Sequence, residues 1–363
     1  TQQAASEIID VARTTITAIE KGERKIKSSE LVRLARAYGR TVGDFVRKER
    51  PTVRELVPEF RTAYRESSDT EPISEQIVEE FSQLCRDYVE LENITNDPLS
   101  YQYPAEYRVF DNRIDQQAEV IAYQERQRLG LGDSPVAEFR ALLEREVGLR
   151  IFYLKLRPSY YAGIYAFDEN LGGCIAINRD QIPERRRWNL AHEYAHFLAH
   201  RHQIDLVQEG KYERLPAKER FADAFAMNFL MPTTSIGRQI ADKDIRRTDL
   251  FVLASYFGVS LQAITLRLEG LKYIPRGSWD ELKATIGDMG IRNVQEKLNI
   301  EPVSDSDEML PLRYQILAIN AFQENQISLG VFAQYMRLSK ARARELFESS
   351  ESITEHDKES LNE

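Results

Sequence analysis

Cysteine is nearly absent from this sequence: Cys85 and Cys174 are the two in 363 residues. Two thiols make no disulfide framework, which excludes a small disulfide-stapled fold and points to a reducing compartment, the cytoplasm. Long apolar runs are missing too. Nothing approaches the roughly 18 consecutive apolar residues of a membrane span, so no membrane partner is expected. No signal peptide is visible, and the chain opens on Thr1 rather than Met, so an upstream piece is expected to be missing. Proline and glycine are unremarkable, and no internal repeat or low-complexity tract is found. With 42% hydrophobic residues a real core can be built, and wholesale disorder is excluded. At about 150 residues per domain, two or three domains are expected.

A net positive charge is also lacking. The total is −9, which excludes a protein that coats nucleic acid by bulk charge. The charge is uneven, however. Residues 1–54 hold 12 Lys/Arg against 7 Asp/Glu, a net of +5, so the remainder carries −14. A basic head on an acidic body implies a separate partner for the head. Histidine is scarce, and its distribution is the informative feature. There are five, and four of them, His192, His196, His200 and His202, fall within eleven residues, with His356 far downstream.

The head reads as short helices with tight turns: one at Gln2–Ile9 capped by Thr1, one over Arg13–Lys21 closed by Gly22, one over Glu30–Tyr38 capped by Ser28 or Ser29 and closed by Gly39, and a fourth from Thr41. Pro51 and Pro58 break the pattern, and 65–76 reads as a polar linker. Helical periodicity returns at 74–92, with Ile77, Phe81, Leu84, Tyr88 and Leu91 on one stripe. Helices follow from Ile114 to Leu129 and from Pro135 to Val147. The period then changes: Arg150–Leu156, Gly163–Phe167 and Cys174–Asn178 read as strands. Pro183 suits the first turn of a helix running to His200, and Pro232 stops another over Ala217–Leu230. The rest is helical, with turns at Gly258-Val259-Ser260, near Gln326-Ile327-Ser328 and at Leu338-Ser339, and a polar tail from 350. The divisions expected are a head at 1–50, a helical linker at 51–106, a core at 107–246, a helix-turn-helix-like segment at 247–275, a linker at 276–309, a C-terminal helical module at 310–350 and a tail at 351–363.

Residues 192–196 read H-E-Y-A-H. On a helix, positions i and i+4 share a face, so His192 and His196 can place two imidazoles on one ion. Glu193 sits beside them, near enough to a bound water to take its proton, while a metal lowers that water's pKa and polarises a carbonyl. This is the pattern of a zinc peptidase; the competing reading is two helix-face histidines beside a surface glutamate. The third ligand is open. Glu219, on the next helix, can complete a His-His-Glu site, with Asp223 accepting a hydrogen bond from the far nitrogen of a liganding histidine. His202 falls where a third histidine stands in metzincins, but Ala199 replaces the glycine that pattern needs. His200, four residues from His196, is a further alternative. The strand before the active helix, Gly173–Asn178, can be read as an edge strand holding a peptide by main-chain bonds. Tyr160, Tyr161 and Tyr165 are candidate oxyanion donors, and Cys174 reads as a buried strand residue.

A basic helix-turn-helix, then H-E-Y-A-H, then E-R-F-A-D-A-F-A-M-N-F-L-M-P at 219–232 resembles the ImmA/IrrE family of regulatory metallopeptidases. Glu219, Ala222, Asp223, Phe225, Ala226, Leu230, Met231 and Pro232 match the family's second-helix pattern, and 250–271 is similar to its following helix-turn-helix. Tyr194 departs from the family, where small or aliphatic residues are frequent. The resemblance implies an α+β, mostly helical chain with a gluzincin-like metallopeptidase core and small sheet, His192, His196 and Glu219 as ligands of Zn2+ (Mn2+ as alternative), and Glu193 as general base. It implies a protein substrate: an XRE-type repressor, or an antitoxin or toxin partner, whose cleavage controls stress-response or mobile-element genes. A homodimer is a further expectation.

The head resembles an XRE-type domain that lacks its first helix. In such folds the second helix presents its first residues to the major groove, so Arg13, Thr14, Thr15 and Thr17 would face double-stranded DNA, with Gln2 and Lys21 on phosphates. A helical protein-binding module is the bland alternative. Residues 301–363 hold 12 acidic against 6 basic side chains, so the C-terminal module is expected to pack rather than bind DNA. Two rival functions stay open: a transcription factor or antitoxin-like module whose metal core is structural or sensory, and self-cleavage between head and core.

Overall fold

The computed structural model describes residues 2–38, 73–202, 205–208, 216–240, 244–287, 290–303 and 305–348. It forms two compact units, Thr1–Arg54 and Glu55–Glu363. The expected Thr1 cap, the Gly39 stop, the fourth helix from Thr41, the breaks at Pro51 and Pro58, the linker up to residue 72 and the polar tail lie outside the described residues.

The first unit contains α1 (Gln2–Ile9), α2 (Arg13–Glu20) and α3 (Ser28–Ala37). Ile9, Ile16 and Leu34 are buried between them, with Val11, Ile19 and Ile26 packed around. Asp10 (φ 57°) and Gly22 (φ 75°) take left-handed backbone at the two turns; glycine does so without a Cβ penalty. Glu30 anchors the start of α3, accepting from Arg24 (2.8 Å) and from the Lys27 amide (2.9 Å). The Arg24 hydrogen bond, seconded by Lys27, holds its carboxyl below the usual range.

In the second unit the first helix among the described residues is α4 (Glu75–Ile94), whose N-cap Ser74 side chain accepts from Gln76 N. Then come α5 (Ile114–Arg128), α6 (Phe139–Val147), β1 (Arg150–Leu154), β2 (Tyr161–Asp168), β3 (Gly172–Asn178), α7 (Pro183–Ala199), β4 (Asp205–Gln208) and α8 (Ala217–Leu230). Helices α9 (Thr233–Ile240), α10 (Arg247–Phe257), α11 (Leu261–Gly270), α12 (Ser278–Ile286), α13 (Ile291–Lys297), α14 (Leu312–Gln323) and α15 (Leu329–Tyr335) follow. A further helix, α16, covers 340–348 and is the last among the described residues. The chain is mostly helical, with one small sheet among the described residues, as its sequence implies.

Several details differ from the sequence reading. α6 starts at Phe139 rather than Pro135, because Glu138 takes a left-handed φ of 39° that no helix continues through. The buried stripe of α4 runs through Val78 and Cys85 as well as Phe81, Leu84, Tyr88 and Leu91, while Ile77 is half-buried. The range 276–309, read as linker, contains α12 and α13.

The sheet order is β1-β3-β2-β4, with β1 and β3 parallel and the other pairs antiparallel. β3 is therefore interior. Its ladder groups are already paired on both sides, so it cannot accept a substrate strand as an edge would; β1 and β4 are the edges. Because side chains alternate across a strand, Ile151 and Tyr153 enter the main core with α7, while Phe152 faces the other way and meets Phe81, Tyr88 and Tyr314 edge-on. Helices α4 and α14 thus cover one sheet face. α7 covers the other, with α8 and then α5 behind it. Among the described residues no single helix is long and apolar enough to cross a membrane. α10 and α11 reach that length only as a pair bent by 108°, and their Phe257, Ile264 and Leu268 are spent on the core.

Candidate metal centre

Pro183 opens α7 at a position where its missing N–H costs nothing. Leu190, Ala191, Ala195, Phe197 and Leu198 bury most of the helix, so whatever polar groups it carries go into the interior. His192 and His196, one turn apart, face α8. His192 Nε2 lies 3.1 Å from Glu219 Oε2 and 3.1 Å from His196 Nε2, and His196 Nε2 lies 3.7 Å from Glu219 Oε2. Among the described residues, these three form the group of His, Cys, Asp and Glu whose ligand atoms converge, all within 4.8 Å. Ligands at about 2.0–2.1 Å on a tetrahedral ion stand roughly 3.3–3.4 Å apart, a spacing these contacts bracket. Two imidazoles and a carboxylate also suit zinc chemically.

Asp223 Oδ1 lies 2.9 Å from His192 Nδ1. Were an ion bound, the N–H at Nδ1 would go to this carboxylate and the Nε2 lone pair to the metal. Burial opposes charge on His192, but the Asp223 and Glu219 hydrogen bonds outweigh it and raise its pKa to about 10. Burial likewise works against the Glu219 carboxylate, and the two histidines pull its pKa well below the usual range. The field here favours a positive charge.

Glu193 is fully buried. Its carboxylate lies against β2 at Gly163, where a Cβ would overlap it. Gly163 was not singled out from the sequence; a lone glycine inside a strand pattern was the available signal.

The remaining candidates fall elsewhere. His202 is exposed, its ring 5.0 Å from that of Phe167. His200 is half-buried, its ring 5.6 Å from that of His196 and against Phe221. Neither belongs to the converging group. Tyr165 is not a free donor, since its hydroxyl donates to the Arg201 carbonyl at 2.8 Å. Tyr160 and Tyr161 pack on each other with ring centres 4.9 Å apart. Cys174 is buried in β3, as read. Tyr194 points away from the histidines into the aromatic core of Phe197, Phe225 and Phe229.

In the first unit, Arg13 and Thr14 are exposed at the start of α2, with Thr15 and Thr17 half-buried. Gln2 joins them: Arg13 Nε and Thr17 Oγ1 each lie 3.4 Å from its Oε1, while its Nε2 donates to Glu20 at 2.6 Å. Lys21 is exposed at the end of the helix.

Residues 144–269 match the IrrE N-terminal-like domain family, and residues 1–45 match a helix-turn-helix family. The first span contains H-E-Y-A-H, Glu219 and Asp223. No curated protein matches the chain.

Proposed function

We propose that this chain, which joins a helix-turn-helix head to an IrrE-like domain of a peptidase family, is a DNA-binding regulator whose central unit is a metal-dependent endopeptidase. Its target is a repressor or antitoxin partner, and its output is control of stress-response or mobile-element genes in the cytoplasm. The convergence of His192, His196 and Glu219 carries this reading. These three would hold the ion, zinc before manganese. Bound there, the ion supplies Lewis acidity toward a peptide carbonyl and makes a water nucleophilic at neutral pH. Glu193 would be the general base and acid that accepts a proton from the attacking water and gives it to the leaving amine, its burial keeping bulk water from competing. Asp223 holds His192 in the liganding tautomer.

The test is Glu193→Gln in the full chain, assayed on a peptide library by mass spectrometry. Both proteins should carry about one zinc. The variant should cut on the order of a thousandfold more slowly. Equal cleavage by the variant, or wild-type protein that never binds zinc, would sink the reading; zinc without any proteolysis would favour a structural or sensory metal core.

In the head, Arg13, Thr14, Thr15 and Thr17 read base edges, and Gln2 and Lys21 hold phosphates. Arg13→Ala should weaken binding to the promoter of its own gene by about tenfold, measured by fluorescence anisotropy, as loss of a bidentate base contact does. Unchanged affinity would remove Arg13 from the interface.

A further inference from the structure

Away from the metal centre, residues 305–309 run as a strap along the outer edge of β1. The Tyr153 amide donates to the Met309 carbonyl (3.1 Å), and buried Arg140 donates to the carbonyls of Glu308 (2.6 Å) and Met309 (3.0 Å). Arg186 of α7 donates to the Asp305 carboxylate (3.3 Å) and carbonyl (3.0 Å). Beyond the strap, α14, α15 and α16 fold back, and a cavity of about 430 Å³ opens between the strap and the turn from α15 to α16. That volume lies within the range of small-ligand sites.

The cavity has two kinds of wall. Met309, Met336 and Leu338 give it an apolar floor, and methionine adapts to irregular ligands. Arg179, Arg337 and Arg342 line it with three basic side chains, alongside the acidic Glu308 and Glu345. Arg337 is committed to the buried Asp87 at 2.8 Å. It holds a left-handed φ of 56° just past the end of α15, as Asp10, Asn96, Lys272, Asn299 and Asn325 do after other helices. The other two are loosely engaged. Arg179 stands 3.7 Å from Asp307, and Arg342 meets Glu345 where both side chains are about two-thirds exposed. Lys340, Arg342 and Arg344 also crowd the first turns of α16, where the helix's own field favours anions, so the chain concentrates positive charge at a place that disfavours it.

We propose that this cavity binds a small amphipathic anion: a carboxylate or phosphate head held by Arg179 and Arg342, with its chain on Met309, Met336 and Leu338. Guanidinium forks suit such heads, and both arginines would exchange weak, solvated partners for a shared one. The occupant would touch the strap that Arg140 ties to β1 and Arg186 ties to the helix carrying His192.

The test uses the full chain and calorimetric titration with decanoate, decylammonium and inorganic phosphate. Decanoate should bind at one site per chain. Decylammonium, with the wrong charge, and phosphate, without a chain, should each bind at least tenfold more weakly. The double variant Arg179→Glu/Arg342→Glu, at one half-buried and one exposed side chain and with folding checked by circular dichroism, should lose at least tenfold in decanoate affinity. No saturable decanoate binding, equal affinity for either control ligand, or an unchanged double variant would overturn the site.

Discussion

Helix α7 carries two buried polar clusters on opposite faces, and they are built differently. On one face Tyr194 donates to Glu125 Oε2 at 2.6 Å, Arg128 reaches the same oxygen at 2.7 Å, and Tyr107 donates to Oε1 at 3.0 Å. On the other face His192, His196 and Glu219 bring ligand atoms together. Both clusters centre on a buried glutamate. Glu125 is saturated by donors that the chain itself supplies, including a cation, so its cluster is complete as folded. Around Glu219 the chain gathers imidazole nitrogens and carboxylate oxygen, groups that share one region comfortably only when a proton or metal ion joins them. Burial does not separate a structural carboxylate from a site carboxylate; the count of donors against lone pairs does.

The sharpest way to break this contrast is to make the same change in both clusters. Glu125→Ala leaves the Arg128 guanidinium and two phenols without their acceptor. It should cost about 2–4 kcal/mol in urea unfolding, somewhat below a fully buried pair because Arg128 is partly exposed. Glu219→Ala removes one buried partner of His192 while Asp223 keeps the other, so in the metal-free protein it should cost less, about 1–3 kcal/mol, while zinc per chain, read by elemental analysis, drops toward zero. If both variants lost stability equally and Glu219→Ala kept its zinc, the distinction would fail.

A smaller effect tests the space beside Glu193. Gly163→Ala puts a Cβ where the Glu193 carboxylate lies. Zinc content should stay at the wild-type value while cleavage falls roughly ten- to hundredfold, the scale on which misplacing a catalytic group acts. Full cleavage in Gly163→Ala would show that the carboxylate has another productive position. This variant separates a displaced base from a lost metal, which Glu219→Ala cannot do.

What the sequence made legible follows the range of the interactions. The His192–His196 pairing is a one-turn relation and can be read directly, as can the helix ends at Pro183, Gly148 and Gly258, where local conformational preference decides. Glu219 needed the resemblance, because nothing local says which acidic residue of a later helix returns to the histidines. The interior position of β3, the short β4 and the contact of Gly163 with Glu193 depend on strand order, which leaves no periodic trace. Glu138 shows the local limit: Pro135 is a sound helix opener, but a left-handed residue three positions later decides where α6 begins. The Glu125 cluster joins residues from 107 to 194, and only Tyr194's departure from the family pattern hinted at it.

Glu144 tests the contrast at its weakest point, because it lies between the two cases. It is buried, accepts from Tyr88 at 3.1 Å and has Arg140 nearby, but it lacks the enclosing donors of Glu125. Burial outweighs the pull of Arg140 and raises its pKa from 4.5 to about 7. Between those values the folded chain keeps a proton that the unfolded chain has released. Native stability therefore declines as pH rises from about 4.5 to about 7, and above 7 the penalty is fully present. Glu144→Gln preserves an acceptor for Tyr88 and removes the titration. Relative to wild type it should gain on the order of 1–3 kcal/mol at pH 8, and the gain should vanish as pH approaches 4.5. Urea unfolding at a series of pH values measures the difference, and the subtraction cancels titrations common to both proteins. A gap independent of pH would mean that Glu144 titrates in the folded chain as it does in the unfolded one, with Arg140 offsetting its burial.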